Sequence, residues 1–458
     1  MPSISGGWAA ITDMIRSLAL LPLFLSFLLP LTAGEVPTFT QHVAPILMRN
    51  CVPCHRQDGA GPFPLTSFED VRKRASMVAY VTEDRYMPPQ RNDPSYRSFA
   101  HERRLTDAEI RTIGAWVEGG MVEGPARAMP PVPPFPDGSM LLGRPTVTLS
   151  MRSDVPIPGT NRQTYICYAI PFEFDREQYM RGIDYLPGNR KLSHHASYQI
   201  LEVAPDVSLH DIPEYFMYRD SQFVDDIHDY RFFGLVSPTY GPPREVFHAG
   251  WLPGMSPLIF PDGIGFRLPR RGVLLIRNLH YAPTPVAASD RARINMYAGR
   301  KEPRTIVFAA FKPALKSEAD DVIRAGSTVT HHIFARIHDD VSALTINPHM
   351  HLLGRSFRVW VETPKGDTIP LVDVPDWDFN WQEFYRFKRP IRIPAGSVLN
   401  AVATFDNTAG NPHNPFHPPR DIPFEGSMDD SNEMMRLVLL LLPYRKGDEN
   451  IDLERPLR

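Results

Sequence analysis

Residues Ala343–Leu353 read ALTINPHMHLL, and the spacing within that stretch decides the fold. Apolar and polar positions alternate, which marks a half-buried β-strand. Side chains at i and i+2 of a strand leave the same face. His349 and His351 therefore share a face and can chelate one ion, while Met350 points the other way; the alternative is three side chains filling a core. The pattern recurs in TVTLSM (146–151), SYQILEV (197–203), VLLIRNLHY (273–281), INMYAG (294–299), TIVFAAF (305–311), FRVWVET (357–363) and VLNAVATF (398–405), with Pro, Gly and Asp between. That is the pattern of antiparallel sandwiches. The 48 prolines, many of them punctuating short apolar runs, also favour sheet and loop over helix. Residues 146–458 are generous for one sandwich, so a split is expected near AGRKEPR, giving all-β domains over 146–302 and 303–458.

Upstream the periodicity changes, and residues 35–128 read as a small all-α domain. In TDAEIRTIGAWVEGG (106–120), Thr106 caps a helix with Glu109 closing the capping box. Ile110, Ile113 and Val117 share one face of it, and Gly119-Gly120 stops it. MPPVPPFPDG then opens an extended linker over 129–145. At the N-terminus, Arg16 precedes SLALLPLFLSFLLPLTAGE, an apolar run broken by Pro22 and Pro30 and ending in small residues, which reads as an export signal over 1–34. A retained anchor is the alternative, but a membrane span needs about 20 uninterrupted apolar residues. The other long apolar run, LVLLLLPY (437–444), has strand length. The expected location is the periplasm or outside the cell, without a stable membrane anchor. A net charge of −3 with both signs mixed gives no footprint for nucleic acid.

Two of the three cysteines lie in CVPCH (51–55) and Cys167 stands alone, which excludes a disulfide framework. C-x-x-C-H fixes a haem through two thioether bonds, with the adjacent His55 as an axial ligand. A thioredoxin-like pair lacks its βαβ surroundings here, and a zinc site lacks a second Cys pair. DRYMPPQ (84–90) puts Met87 on a proline-stiffened loop as the sixth ligand, with Met77 and Met121 as rivals. This segment resembles the class I cytochrome c domains, in which a Met-Pro loop supplies the distal ligand. The resemblance implies one covalently bound haem c and an external electron donor to it.

Two further histidine motifs stand in the β region: GNRKLSHHASYQIL (188–201) with His194 and His195, and RNLHYAPT (277–284) with His280. Adjacent residues of a regular strand face opposite sides, so His194 and His195 meet at one metal only where the strand is bulged or ends. In order, GNRKLSHHASYQIL, GWLPG, NLHYAP, PHMHLLGRSFRV, FDNTAGNPHNP and DDSNEMMRLVLLLL resemble the type II copper, ascorbate-dependent monooxygenases. That family includes the peptidylglycine hydroxylating and dopamine β-monooxygenases. The resemblance covers about 160 to 443 and implies two jelly-roll sandwiches, each holding one copper ion. It carries His194, His195 and His280 over to the first copper, and His349, His351 and Met434 to the second, which is the catalytic one; Met435 is the rival sulfur. Three imidazoles suit copper in either oxidation state, and a thioether favours Cu(I).

The chain departs from the peptide-amidating members in two ways. Cys167 is the one cysteine of these domains, where those enzymes are rich in disulfides. Their carboxylate-gripping Arg and Tyr are replaced by Asn347 and Val438. The expected activity is copper-dependent hydroxylation of an activated C–H bond of a small organic substrate with O₂, the haem standing in for ascorbate and feeding the first copper. A non-enzymatic haem or copper electron carrier is the alternative; a blue-copper centre would need a His₂Cys site, and Cys167 has no histidine within 20 residues. No role is assigned to His331, His332, His413, His417 or Cys167.

Overall fold

The computed structural model describes residues 36–57, 59–133, 143–218, 226–253, 255, 257–314, 322–424 and 432–454. The export signal expected over 1–34 lies outside these residues, as does 134–142 of the expected linker. No helix among the described residues is long and apolar enough to cross a membrane.

A π-helical turn at Phe39–Val43 leads into α1 (Ala44–Asn50), followed by α2 (Phe68–Arg72), α3 (Ala75–Glu83) and α4 (Asp107–Glu118). The capping box forms as its sequence dictates: Thr106 accepts from the Glu109 amide, and the Glu109 carboxylate accepts from the Thr106 amide. Gly120 takes the left-handed conformation at φ 85° that ends α4. Ile113 and Trp116 are the fully buried residues of α4, with Ile110 and Val117 packed at the edge. Trp116 meets Phe39 and Phe68 in a three-ring contact that centres this core.

The β region begins with β1 (Val147–Ser150), β2 (Val155–Ile157), β3 (Thr164–Glu173), β4 (Gln178–Leu186), β5 (Ser193–Glu202) and β6 (Tyr215–Met217). Helix α5 (Asp226–Phe232) precedes β7 (Arg244–Trp251), β8 (Leu258–Ile259), β9 (Ile264–Leu268), β10 (Arg271–Tyr281), β11 (Ala288–Asp290), β12 (Arg293–Ala298) and β13 (Arg304–Thr305). Next come β14 (Val307–Phe311), β15 (Val322–Ile323), β16 (Thr328–Arg336), β17 (Val341–His349), β18 (Gly354–Glu362) and β19 (Thr368–Val374). The last are β20 (Tyr385–Ile393), β21 (Val398–Asp406), β22 (Ile422–Pro423) and β23 (Arg436–Pro443).

These strands build four large sheets that pack as two sandwich-like layers-on-layers. One pair has the orders β1-β12-β4-β9-β13, with β8 on β4, and β6-β3-β10-β5-β7. Alternate residues of both sheets, such as Tyr198 and Ile200 on β5, Leu274 and Ile276 on β10, and Ile294 and Met296 on β12, fill the first core. The opposite face of β3 and β10, including Cys167, Val273 and Leu275, is covered by Tyr230 and Phe233 around α5. The other pair has the orders β14-β23-β17-β20 and β16-β21-β18-β19. The first sheets reach beyond the expected split at 302, because β13 pairs in parallel with β9 and Ile306 sits in the first core.

The run LVLLLL explains how the two halves join. Leu437, Leu439 and Leu441 on β23 point into the second core, whereas Leu440 and Leu442 point into the first. A strand buried on both faces has no polar positions to alternate with. Farther along that same even-numbered face, Arg436 and Val438 line a cavity between the halves.

Residues 91–103 do not stay with the helices. They run as a strap over the second sandwich: the Asp93 amide donates to the Asp373 carbonyl (2.8 Å) and the Ala100 amide to that of Arg386 (2.8 Å). Phe99 enters the second core against Tyr385 and Phe387, a burial that contributes about 2–3 kcal/mol.

Candidate metal centres

β5 and β10 are neighbours, and their pairing shifts register twice near His280. Arg277 faces Ser197, His280 faces His195, and Tyr281 faces Ser193. The first shift leaves Asn278 in a left-handed conformation (φ 47°); the second leaves His194 as the extra residue of a bulge in β5. That bulge overrides strand alternation and turns neighbouring side chains toward one point. His195 Nδ1 lies 3.2 Å from His194 Nδ1 and 3.4 Å from His280 Nδ1. Two nitrogens bonded at about 2.0 Å to one tetrahedral ion stand about 3.3 Å apart, so this buried triad has the spacing of a ligand set and could hold a metal ion.

Protein oxygens orient the rings. The Gln163 side-chain oxygen takes His280 Nε2, and the His194 ring hydrogen-bonds Asn380. Tyr165 stacks on His280 with ring centroids 4.3 Å apart. Burial pushes His195 and His280 well below the ordinary imidazole pKa, and the neighbouring histidines push further; His195 feels even His349 and His351. Neutral imidazole is the ligand form.

The second set uses alternation instead of breaking it. His349 ends β17 and His351 follows two residues on. The Gln382 amide nitrogen donates to the Phe379 carbonyl (2.9 Å), which turns its oxygen toward His349 Nδ1. A carbonyl only accepts, so His349 carries its proton on Nδ1 and keeps a lone pair on Nε2. That Nε2 is buried and has no hydrogen-bond partner among the described residues. His351 Nδ1 likewise donates to the Asn432 carbonyl (2.6 Å). Burial, then the His351 charge, lower the His349 pKa to about 3.

Met434 lines the cavity beside His349 and His351, whereas Met350 and Met435 lie in the second core. Glu433, the residue before Met434, has a buried carboxylate that accepts from the His351 amide (3.0 Å) and the Leu353 amide (2.6 Å), clamping the turn after β17. Burial pushes its pKa up to about 8.

His195, His349, His351 and Met434 all line one cavity of about 580 Å³, with Tyr165, Trp251, Phe308 and Phe384 among its walls. Phe379 bridges the two sets, its ring centroid 6.3 Å from His194 and 5.7 Å from His351. Ser197 and His248 add a polar pair on the cavity wall, with Ser197 Oγ 2.7 Å from His248 Nε2, and Glu245 lies 3.5 Å from the ring's other nitrogen.

In the helical segment, Cys51 and Cys54 are free thiols directly after α1. Burial raises the pKa of Cys51 to about 12, helped by Cys54. His55 Nδ1 donates to the Phe63 carbonyl (3.1 Å), which leaves the lone pair on Nε2. Met87 is half-buried in a small pocket with Thr82, Leu105 and Ile110. Of its rivals, Met77 is half exposed on α3 and Met121 packs on the helical core.

The remaining histidines go elsewhere. His331 stacks on Phe424, and His332 hydrogen-bonds Asn400; His413 and His417 lie in the loop after β21. Cys167 is fully buried, with Asp229 at 3.9 Å from its sulfur. The sequence reading missed Gln163, Phe379, Asn380, Gln382, Glu433 and His248. DWDFNWQEF (376–384), crowded with aromatic and amide side chains between two strands, was the one local signal for three of them.

No protein-family model matches this chain, and no curated protein matches it. Among solved structures, one of the infectious bursal disease virus Gt strain aligns over 68% of this chain and 82% of its own, at 10% identity and a TM-score of 0.15. A likeness of that size carries no inference about fold or function.

Proposed function

We propose that this chain is an exported copper-dependent monooxygenase with its own haem domain, which hydroxylates an activated C–H bond of a small organic substrate. On this reading residues 35–128 are a class I cytochrome c domain and the two sandwiches are jelly rolls. The observation that carries it is the pair of histidine sets, with His195 of the first and His349 and His351 of the second lining one cavity and with protein oxygens on the rings of His280, His349 and His351. His194, His195 and His280 would hold one copper, His349, His351 and Met434 the other, and Cys51, Cys54, His55 and Met87 a haem c. The fit rests on the 3.2 and 3.4 Å nitrogen spacings, the orphaned His349 Nε2 and the thioether of Met434. Bound there, these groups would supply one-electron redox chemistry toward O₂, with His194, His195 and His280 as the copper ligands nearest the loop that meets the helical segment's strap.

The side chains do the rest. Gln382 and the Asn432 carbonyl hold protons on Nδ1 of His349 and His351, so both rings offer Nε2. Trp251, Phe308, Phe379 and Phe384 give the cavity an aromatic wall, which suits the apolar part of an organic substrate. Asn347 gives both its amide hydrogens to the carbonyls of Gln382 and Glu383, and Val438 offers no polar group. A substrate carboxylate thus finds no grip where the amidating enzymes have theirs. Ser197 and His248 can fix one polar substituent.

The test is metal and haem analysis of the exported chain, followed by product identification under ¹⁸O₂. Two coppers and one haem per chain, with one ¹⁸O in an organic product, are expected. Zero or one copper, or product without label, overturns the reading.

A further inference from the structure

The loop 375–384 between β19 and β20 touches both histidine sets and also the strap that leaves the haem motif's methionine. Arg91, four residues after Met87, stacks its guanidinium over the Tyr86 ring (5.2 Å) and donates to Asp378 Oδ2 (3.1 Å). Asp378 Oδ1 accepts from both the side-chain amide (2.9 Å) and the backbone amide (2.9 Å) of Asn380. With its amide nitrogen committed there, the Asn380 side chain has its oxygen left for the neighbouring His194 ring, whose pKa it raises against the lowering effect of burial, and Phe379, one residue earlier, packs its ring 6.3 Å from the same imidazole. The Arg91 and Asp378 side chains are 14% and 7% exposed, so the pair is shielded from water and has a defined geometry. A second, exposed carboxylate, Asp376, lies 3.5 Å from Arg91 but leads to neither histidine set.

We propose that Tyr86–Arg91–Asp378–Asn380–His194 is the connection through which the haem segment is coupled to the first copper site, with Arg91, Asp378 and Asn380 as positioning residues. The inference rests on the haem and copper reading above. In the coupled step one electron leaves ferrous haem, giving ferric haem, and reduces Cu(II) at the first site to Cu(I); no bond is made or broken. The chain explains why the electron enters at the first set. The run from Arg91 through Asp378 and Asn380 ends at His194, a member of that set.

The test uses the full chain loaded with haem and copper under anaerobic conditions. A radiolytic pulse reduces the haem, and the decay of ferrous absorbance is followed together with loss of the Cu(II) paramagnetic signal. With copper supplied at saturation so that every sample is fully loaded, Asp378→Ala, Asn380→Ala and Arg91→Gln are each expected to slow this transfer at least ten-fold with the haem spectrum unchanged, and Asn380→Ala to alter the first site's Cu(II) hyperfine splitting. Asp376→Asn keeps the wild-type rate. Wild-type rates in all three variants overturn the inference alone. A wild-type chain whose reduced haem passes no electron to copper overturns the functional reading and the inference together.

Discussion

The two histidine sets of this chain reach the same chemical end by opposite backbone means. At the first, a bulge in β5 and a second irregularity in β10 bring adjacent His194 and His195 against His280, and the rings meet through Nδ1. At the second, unbroken i, i+2 spacing does the work, Nδ1 is spent on protein oxygens, and Nε2 faces the cavity. The difference teaches that a bulge can supply a contact that strand alternation forbids, but at the cost of depending on two strands keeping their irregular register. A site built on alternation depends instead on the amides around it.

The largest effect that separates them is expected from His349→Ala. On the proposed copper reading it should lower copper content from two to one per chain and cut hydroxylation at least about 100-fold, because it would remove a ligand outright and ligand-orienting residues alone are worth 10–100-fold. Metal analysis alongside turnover checks this. Met434→Leu should weaken Cu(I) binding at that set alone, while Met350→Leu, a near-isosteric change in the second core, leaves both coppers in place. The reverse pattern in a Cu(I) competition titration would move the sulfur ligand to Met350. Next come the orienting amides: Gln382→Leu should cost about 10–100-fold in affinity at the second site, and Gln163→Leu the same at the first, each sparing the other. Equal losses at both sites in either variant would mean that the sets act as one unit through Phe379.

The smallest effect concerns the seam that holds β17 against the first half. Asp448 accepts from Ser342 on β17, from the Arg445 amide and from Arg304. Burial alone would raise its pKa, but these bonds hold it below the ordinary carboxylate value. A depressed carboxylate contributes stability that is present above its unfolded pKa and is lost as pH falls through the folded one. Asp448→Asn should therefore cost about 2 kcal/mol at pH 7, and the gap to wild type should close as the pH drops below about 4. Denaturant unfolding at a series of pH values measures it; a gap that persists in acid would assign the loss to packing.

Much of the architecture was legible because periodicity is a local property. The capping box of α4, the alternating strands and the i, i+2 pairing of His349 with His351 follow from residues a few positions apart. LVLLLL was legible as a strand but not as a shared wall between two cores, since burial on both faces depends on what packs there. The strap at 91–103 reads as part of the helical region for the same reason: nothing within it announces that Phe99 belongs to a distant core.

By itself, the sequence determined the change from a helical to a β region and the clustering of cysteine and histidine side chains at 51–55, 194–195, 280 and 349–351. Only the tertiary structure decided that His194 joins His195, that Met434 faces the cavity while Met435 does not, and that one loop at 375–384 reaches both histidine sets. Those outcomes turn on register shifts and on amide partners 33 residues away, as with Gln382 and His349, or 117, as with Gln163 and His280. Hydrogen bonds at such separations leave no periodicity in the chain, because each is set by how whole sheets pack and not by neighbouring residues.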